Sequence, residues 1–339
     1  MTKTWIFESK PAILSAGISG GPFEKESPFA KHFDFFSDDL YNEEKSFEKA
    51  QRSLIEKSIT NSLEKGQVTE SEVDALLMGD LINQLTPSGF AARQFDIPYL
   101  GLFSACATSM QGLALSAALI DGGYCEKVLT GASSHNAAVE KQFRYPTEYG
   151  GQKPPTAQWT VTGAGVVLVG KSTDPLAQAY IEKATIGRVR DINVSDPFNM
   201  GAAMSLAAAD VIERHFIHSG DTVDDYDFIV TGDLAEIGHS ITKDILSERG
   251  VSIPDEKFLD CGKMIYGNRP EVLAGASGPA CSALMIYGYF LDELKAGNMK
   301  RILSVATGAL LSPLSFQQKE TIPCIAHAVA ITSHKGGVV

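Results

Sequence analysis

Apolar residues along this 339-residue chain fall into short unbroken blocks, separated by amphipathic stretches and Gly-rich breaks. Short blocks suit strands buried on both faces, and a 3.6-residue spacing suits helices with one buried side. Residues 11–17 read as a first strand, broken by Ser19-Gly20-Gly21-Pro22. Residues 24–44 predict a long, partly irregular insertion. Residues 46–65 predict an amphipathic helix with Phe47, Ala50, Leu54, Ile55, Ile59 and Leu63 on one side, ended by Gly66. A strand over 74–81 runs into a loop. Residues 97–102 read as a buried strand. Residues 113–120 form a helix that is apolar nearly all round, so it belongs inside the protein.

The same order returns later. A helix over 204–218 precedes a strand over 227–234, and Asp-(x)4-Gly-Asp-Leu occurs at both 74–81 and 227–234. An apolar helix over 280–294 precedes a strand over 302–309, as 113–120 precedes 127–132. Each set closes on a small-residue strand, 162–168 and 325–331. The pattern predicts two diverged copies of one unit, residues 1–170 and 171–339, with parallel sheets covered by helices.

A formal net charge of -12 makes nucleic acid an improbable partner, because phosphate binding needs a basic face. It also disfavours direct docking on anionic lipid. No apolar run reaches the roughly 18 residues of a membrane span, and the first residues carry no basic-plus-apolar leader, so the expectation is a protein kept on the cytoplasmic side. The five cysteines show no C-x-x-C spacing, which suits a reducing compartment and argues against structural zinc. Neither Asp34, Asp38 and Asp39 nor the run 221–227 has the spacing of a calcium loop.

The chemistry centres on Phe103-Ser104-Ala105-Cys106-Ala107-Thr108-Ser109, where a strand meets a buried helix. A helix start offers free N–H groups and a positive dipole end, which lower a thiol's pKa and attract anions. A lone Cys in an apolar stretch is also an ordinary core residue. Two such halves, with Cys106 at this junction, resemble the thiolase and condensing-enzyme superfamily, a thiolase-like α/β fold of two similar halves in αβαβα layers. There the Cys is an acyl nucleophile assisted by His and Asn. Those partners are missing here: the relevant segments read Thr231-Gly232-Asp233 and Ala274-Gly275-Ala276-Ser277-Gly278-Pro279. Without a base and oxyanion donors, condensation lacks its machinery, and no catalytic residue is assigned.

Longer motifs resemble the stage V sporulation protein AD family: Ser133-Ser134-His135-Asn136-Ala137, the stretch 142–154, the stretch 306–313, and Gln317-Gln318-Lys319-Glu320-Thr321-Ile322-Pro323. The resemblance implies uptake of dipicolinic acid, with calcium, into the developing spore, alongside membrane proteins of the same system at the spore inner membrane. It implies binding without catalysis, no cofactor and no protein-held metal. A flat dianion asks for N–H donors or cations and an apolar slot. The candidate ligand-binding residues are Asp80, Cys106, Thr108, His135, Ser277 and Thr307. Asp80 reads equally as a turn or cap residue, and His135 as a structural hydrogen-bonding group. Arg144 and Lys153 suit either a carboxylate clamp or a subunit interface. Related folds pair through a strand of the first half, which predicts a homodimer built on 127–132. Two alternatives remain open: a Cys106 acyltransferase using His135 or His239 as base, and a scaffold of a membrane channel complex.

Overall fold

A computed structural model describes residues 3–143 and 152–333. Its strands are β1 (Trp5–Ile6), β2 (Ala12–Gly20), β3 (Phe35–Phe36), β4 (Ala75–Gly79), β5 (Tyr99–Gly101), β6 (Lys127–Ser134), β7 (Trp159–Thr160), β8 (Gly163–Gly170), β9 (Ala179–Thr185), β10 (Phe228–Thr231), β11 (Phe258–Asp260), β12 (Ala276–Ser277), β13 (Arg301–Ala309) and β14 (Cys324–Thr332). The helices are α1 (Phe47–Gly66), α2 (Thr86–Ala92), α3 (Thr108–Asp121), α4 (Asn136–Phe143), α5 (Met200–Ser219), α6 (Ala235–Glu248), α7 (Cys261–Met264), α8 (Pro279–Leu284), α9 (Leu291–Lys295) and α10 (Pro313–Gln317). A π-helical turn over Met285–Phe290 joins α8 to α9.

Among the described residues the main sheet runs β11-β10-β13-β14-β9-β2-β8-β6-β4-β5, with β1 beside β9 and β3 beside β2. Outward from the β9–β2 junction both directions show the same pairing. Two antiparallel steps (β9–β14–β13 and β2–β8–β6) lead to two parallel ones (β13–β10–β11 and β6–β4–β5). The sheet is therefore mixed rather than parallel, because β8 and β14 run back against β6 and β13.

The repeated Asp-(x)4-Gly-Asp-Leu occupies equivalent places in the two directions. Asp74 accepts the backbone N–H groups of Glu126 and Lys127 at 2.6 and 3.0 Å. Asp227 accepts those of Lys300 and Arg301 at 2.6 and 2.9 Å. In each case an aspartate at a strand start holds the first amides of the neighbouring strand, which would otherwise lack partners.

The buried helices α3 and α8 lie between the two arms of the sheet. α3 packs on β6 and β4 of one arm and on β13 and β14 of the other, and α8 packs on β6 and β8. Their faces share one apolar core with Met110, Leu113, Ala283, Leu284 and Val329. That placement explains a helix apolar on every side.

Two expectations change. The strand at 97–102 is not buried: β5 pairs only with β4, forms an edge of the sheet, and leaves Leu100 52 % exposed. The strand at 127–132 is not available for subunit pairing: β6 is hydrogen-bonded on both sides, to β4 and to β8. A strand with two partners has no free edge to offer a second copy.

Candidate functional site

The Cys106 turn is built by its own neighbours. Ala105 has a φ of 49°, a left-handed conformation uncommon outside glycine. Thr108 holds it there: its hydroxyl donates to the Ala105 carbonyl at 2.7 Å and accepts the Ser104 N–H at 3.1 Å. The backbone of Gly308 on β13 presses against this turn. A Cβ there would stand 2.2 Å from the Ser104 carbonyl oxygen and 3.1 Å from the Cys106 nitrogen. Cys106 is buried at the head of α3.

Asp233 is the group set against the thiol, and reasoning from sequence did not select it. It follows β10, where the parallel arm places Asp80 after β4. The carboxylate is buried, and accepts from Thr307 Oγ1 at 2.7 Å, Ser277 Oγ at 3.1 Å and the Gly278 N–H at 3.0 Å. Burial pushes the Cys106 thiol well above its ordinary pKa, and the charge and hydrogen-bond acceptor of Asp233 push it the same way. The expected lowering by the helix dipole is overridden. The thiol stays protonated beside a carboxylate. Burial likewise raises Asp233, against the hydrogen bonds that favour its charged form.

The candidate ligand-binding residues divide. Cys106, Ser277 and Thr307 meet at Asp233, and Thr108 shapes the turn beneath them. Asp80 sits in its own loop: it accepts the N–H groups of Ile82 at 2.7 Å and Ser88 at 3.0 Å, together with the Ser88 hydroxyl. Burial raises it to about 6. His135 has its Nε2 2.9 Å from the Leu40 carbonyl and lies against the Phe47 ring, with its pKa lowered to about 4 by burial. His239 stacks on Phe258, with its Nε2 3.1 Å from that residue's carbonyl. Lys153 is paired with Glu140 at 2.8 Å and lies over Trp159. Arg144 lies outside the described residues. Among the described residues no cluster of His, Cys, Asp and Glu fits a metal ion. Two concavities lie elsewhere: about 710 Å³ beside Phe35 and Glu56, and about 280 Å³ beside Gln84 and Phe90.

His327 on β14 is a second group missed in the sequence. The Gly187 N–H donates to its Nδ1 at 3.3 Å, which leaves Nε2 protonated and donating to Ser104 Oγ at 3.1 Å. In that tautomer it cannot take a proton from Ser104, so it latches the turn. Burial depresses its pKa to about 4 from an ordinary 6.5. Its neutral-ring contribution is whole above pH 6.5 and is lost as pH falls toward 4. His327→Gln keeps an acceptor and a donor without titrating. Relative to that variant, the native chain should lose about 2 kcal/mol of stability between neutral pH and about pH 5, measured by denaturant unfolding at each pH. A constant difference would remove the latch assignment.

Similarity to known proteins shows the fold and the family. Solved structures with the same fold include 3-oxoacyl-acyl-carrier-protein synthase III from Aquifex aeolicus, with 14% identity and a TM-score of 0.58 over 95% of this chain and 99% of that one. Cerulenin-bound OleA from Xanthomonas campestris gives 13% identity and a TM-score of 0.61 over 96% and 100%. The fold is thiolase-like. Stage V sporulation protein AD from Bacillus subtilis (strain 168) is 47% identical over 327 residues, 96% of each chain. The family model of stage V sporulation protein AD matches residues 1–332. The chain belongs to the stage V sporulation protein AD family.

Proposed function

We propose that the chain binds dipicolinic acid without transforming it, for uptake of that acid into the developing spore. The Cys106–Asp233 pair is the observation that carries this reading. A condensing enzyme needs a thiolate with a base beside it. Here burial keeps the thiol protonated, and the Asp233 carboxylate beside it pushes the same way. What remains is a compact polar site of thiol, hydroxyls and backbone N–H groups, suited to hydrogen-bonding a ligand rather than attacking it. A carboxylate at its centre favours a ligand that arrives protonated or paired with calcium.

Calorimetric titration of the full chain with dipicolinate, with and without calcium, tests the reading. Saturable binding is expected, and no acyl transfer from acyl-thioester substrates. Turnover that disappears in Cys106→Ser would replace it with the acyltransferase. No binding of any small molecule, with membrane partners still captured, would replace it with the scaffold. Among the described residues no helix is long and apolar enough to cross a membrane, so the proposed place at the spore inner membrane rests on membrane-protein partners.

A homodimer remains part of the proposal, with its seam moved to β5. That edge strand carries exposed Leu100, and Phe103 and Phe90 are exposed beside it. An unpaired apolar edge invites a second copy. Light scattering at micromolar concentration should give a dimer mass, and Leu100→Arg should shift it to monomer. A monomeric native chain would remove this part of the proposal.

A further inference from the structure

Glu24 is a buried acid whose donors come from distant parts of the chain. Its Oε1 accepts from the Thr162 N–H at 3.0 Å and from the Tyr266 hydroxyl, and its Oε2 accepts from the Gly21 N–H at 3.1 Å. Gly21 follows β2, Thr162 precedes β8, and Tyr266 lies just beyond α7. Neighbouring contacts staple the same segments together. The Ser27 hydroxyl donates to the Ile265 carbonyl at 2.5 Å, and Arg269 pairs with Glu26 at 2.6 Å. Phe23 fills the junction, with its ring stacked on Trp159 at 4.7 Å and under the Arg269 guanidinium at 3.9 Å.

A short path leads from Glu24 to the Cys106 site. Val161 precedes Thr162, and its N–H donates to the Ser277 carbonyl at 2.9 Å. The Val161 carbonyl accepts from the Ser134 hydroxyl at 2.7 Å, and Ser134 Oγ accepts the Ala280 N–H at 3.3 Å. Trp159 and Thr160 of β7 pair with Ala276 and Ser277 of β12 along the same line. Ser277 and Gly278, held from that side, both donate to Asp233. How Thr162 is held therefore bears on where those two donors stand.

The two protonation states of Glu24 hold Thr162 differently. An ionised carboxylate takes all three donors on charge-assisted bonds. A protonated one must itself donate. The Gly21 amide occupies Oε2, so the proton belongs on Oε1, where the Tyr266 hydroxyl can turn to receive it. The Thr162 amide is then left on a hydroxyl oxygen, a weaker acceptor than a carboxylate. Burial raises Glu24 to about 7 from an ordinary 4.5, against the hydrogen bonds that favour its charged form. The other ionisable groups about this junction are Tyr266, Cys281, His135, Arg269, Glu26 and Lys153. Burial pushes Tyr266 and Cys281 up and His135 down to about 4. Arg269 is paired with Glu26, and Lys153 lies over Trp159 and is paired with Glu140.

We propose that Glu24 is a proton-sensitive positioning residue for the Cys106 site: gaining or losing its proton changes how Thr162 is held, and with it the placement of Ser277 and Gly278 beside Asp233. The binding arm of the test rests on the dipicolinate reading, and the fluorescence arm stands without it. Trp159 reports on the junction, because it stacks on Phe23 and its buried Nε1 has no hydrogen-bond partner among the described residues. The chain has two tryptophans, so Trp5→Phe leaves Trp159 as the sole emitter. Its emission, followed through neutral pH, should show a step centred near pH 7 that is absent when Glu24→Gln is added. Tyr266→Phe removes a hydrogen bond that favours the charged form, so its step should move to higher pH, which keeps the proposal testable if the Gln variant fails to fold. Calorimetric titration with dipicolinate on either side of neutral pH gives the second readout. The native-to-Gln affinity ratio should rise several-fold with pH, since glutamine, like the protonated acid, carries no charge. Taking the ratio cancels the titration of the ligand, Asp80 and Asp233, which both chains share. A step that survives in Glu24→Gln, a step unmoved in Tyr266→Phe, or a flat ratio with dipicolinate still bound overturns the role of Glu24 and leaves the uptake reading intact. The expected steps in a chain that binds no dipicolinate support the Glu24 device and overturn the uptake reading.

Discussion

Asp233→Ala is expected to destabilise the protein by about 3–5 kcal/mol, seen as a fall in the midpoint of denaturant unfolding. The carboxylate accepts from Thr307, Ser277 and Gly278, and the Cys106 thiol faces it. Removing it leaves buried donors from β12, β13 and the start of α8 without an acceptor, at about 1–3 kcal/mol each before relaxation. Asp233→Asn is the milder probe. It keeps one acceptor oxygen for Gly278 and Ser277, and the Thr307 hydroxyl can turn to accept from the new amide. It removes the negative charge that holds the thiol protonated. Cys106 should therefore be alkylated by iodoacetamide faster than in the native chain. Peptide mass spectrometry would separate it from the other cysteines. An unchanged rate would mean that burial alone sets the thiol's pKa, and the case against catalysis would lose its main support.

The fold was legible because the signals that specify it are local. Strand blocks, the amphipathic spacing of α1 and the all-round apolar character of α3 follow from which faces are covered, and covering is what sets apolar patterning. The recurrence of Asp-(x)4-Gly-Asp-Leu had a structural cause, since Asp74 and Asp227 each hold the first amides of a neighbouring strand. Strand direction was not legible, because a buried strand reads alike whichever way it runs. The expectation of parallel sheets fails for that reason at β8 and β14, which run antiparallel to both neighbours. The exposed edge at β5 was also invisible, since Tyr-Leu-Gly is apolar enough for a core and is left uncovered by its place at the end of the sheet.

The site was legible in part. Cys106, Ser277 and Thr307 are far apart in the chain and meet only through Asp233. The repeat held the clue. Asp80 and Asp233 are equivalent in it, and sequence reasoning chose Asp80, the copy nearer to Cys106 along the chain. Folding gave the two different work: Asp80 closes its own loop through Ile82 and Ser88, whereas Asp233 faces the thiol across the seam between the arms. His327 gave no signal at all, because one histidine in a small-residue strand looks like any buried polar residue.

Cys106→Ser and Cys106→Leu should part company in both stability and binding. Serine keeps a small group that can donate to Asp233 as the thiol does, so Cys106→Ser should fold normally and retain dipicolinate affinity within a few-fold. Leucine removes the donor and adds bulk at a buried position, in the space that a ligand bound beside Asp233 would use. Cys106 is only 6% exposed, and the Gly308 backbone lies against its nitrogen. Overpacking of this kind typically costs about 1–3 kcal/mol, to which an unmatched Asp233 carboxylate adds its own desolvation. Cys106→Leu should therefore melt at lower temperature and show no dipicolinate binding at the Cys106 site. A nucleophile would behave otherwise: Cys106→Ser would cost an acyl-transfer enzyme roughly 10³-fold or more in rate. Paired titrations of the Ser and Leu variants, each with its melting curve, decide the matter. Equal loss of binding in the two would show that the sulfur itself is needed, and the account of Cys106 as a hydrogen-bond donor to Asp233 would have to be abandoned.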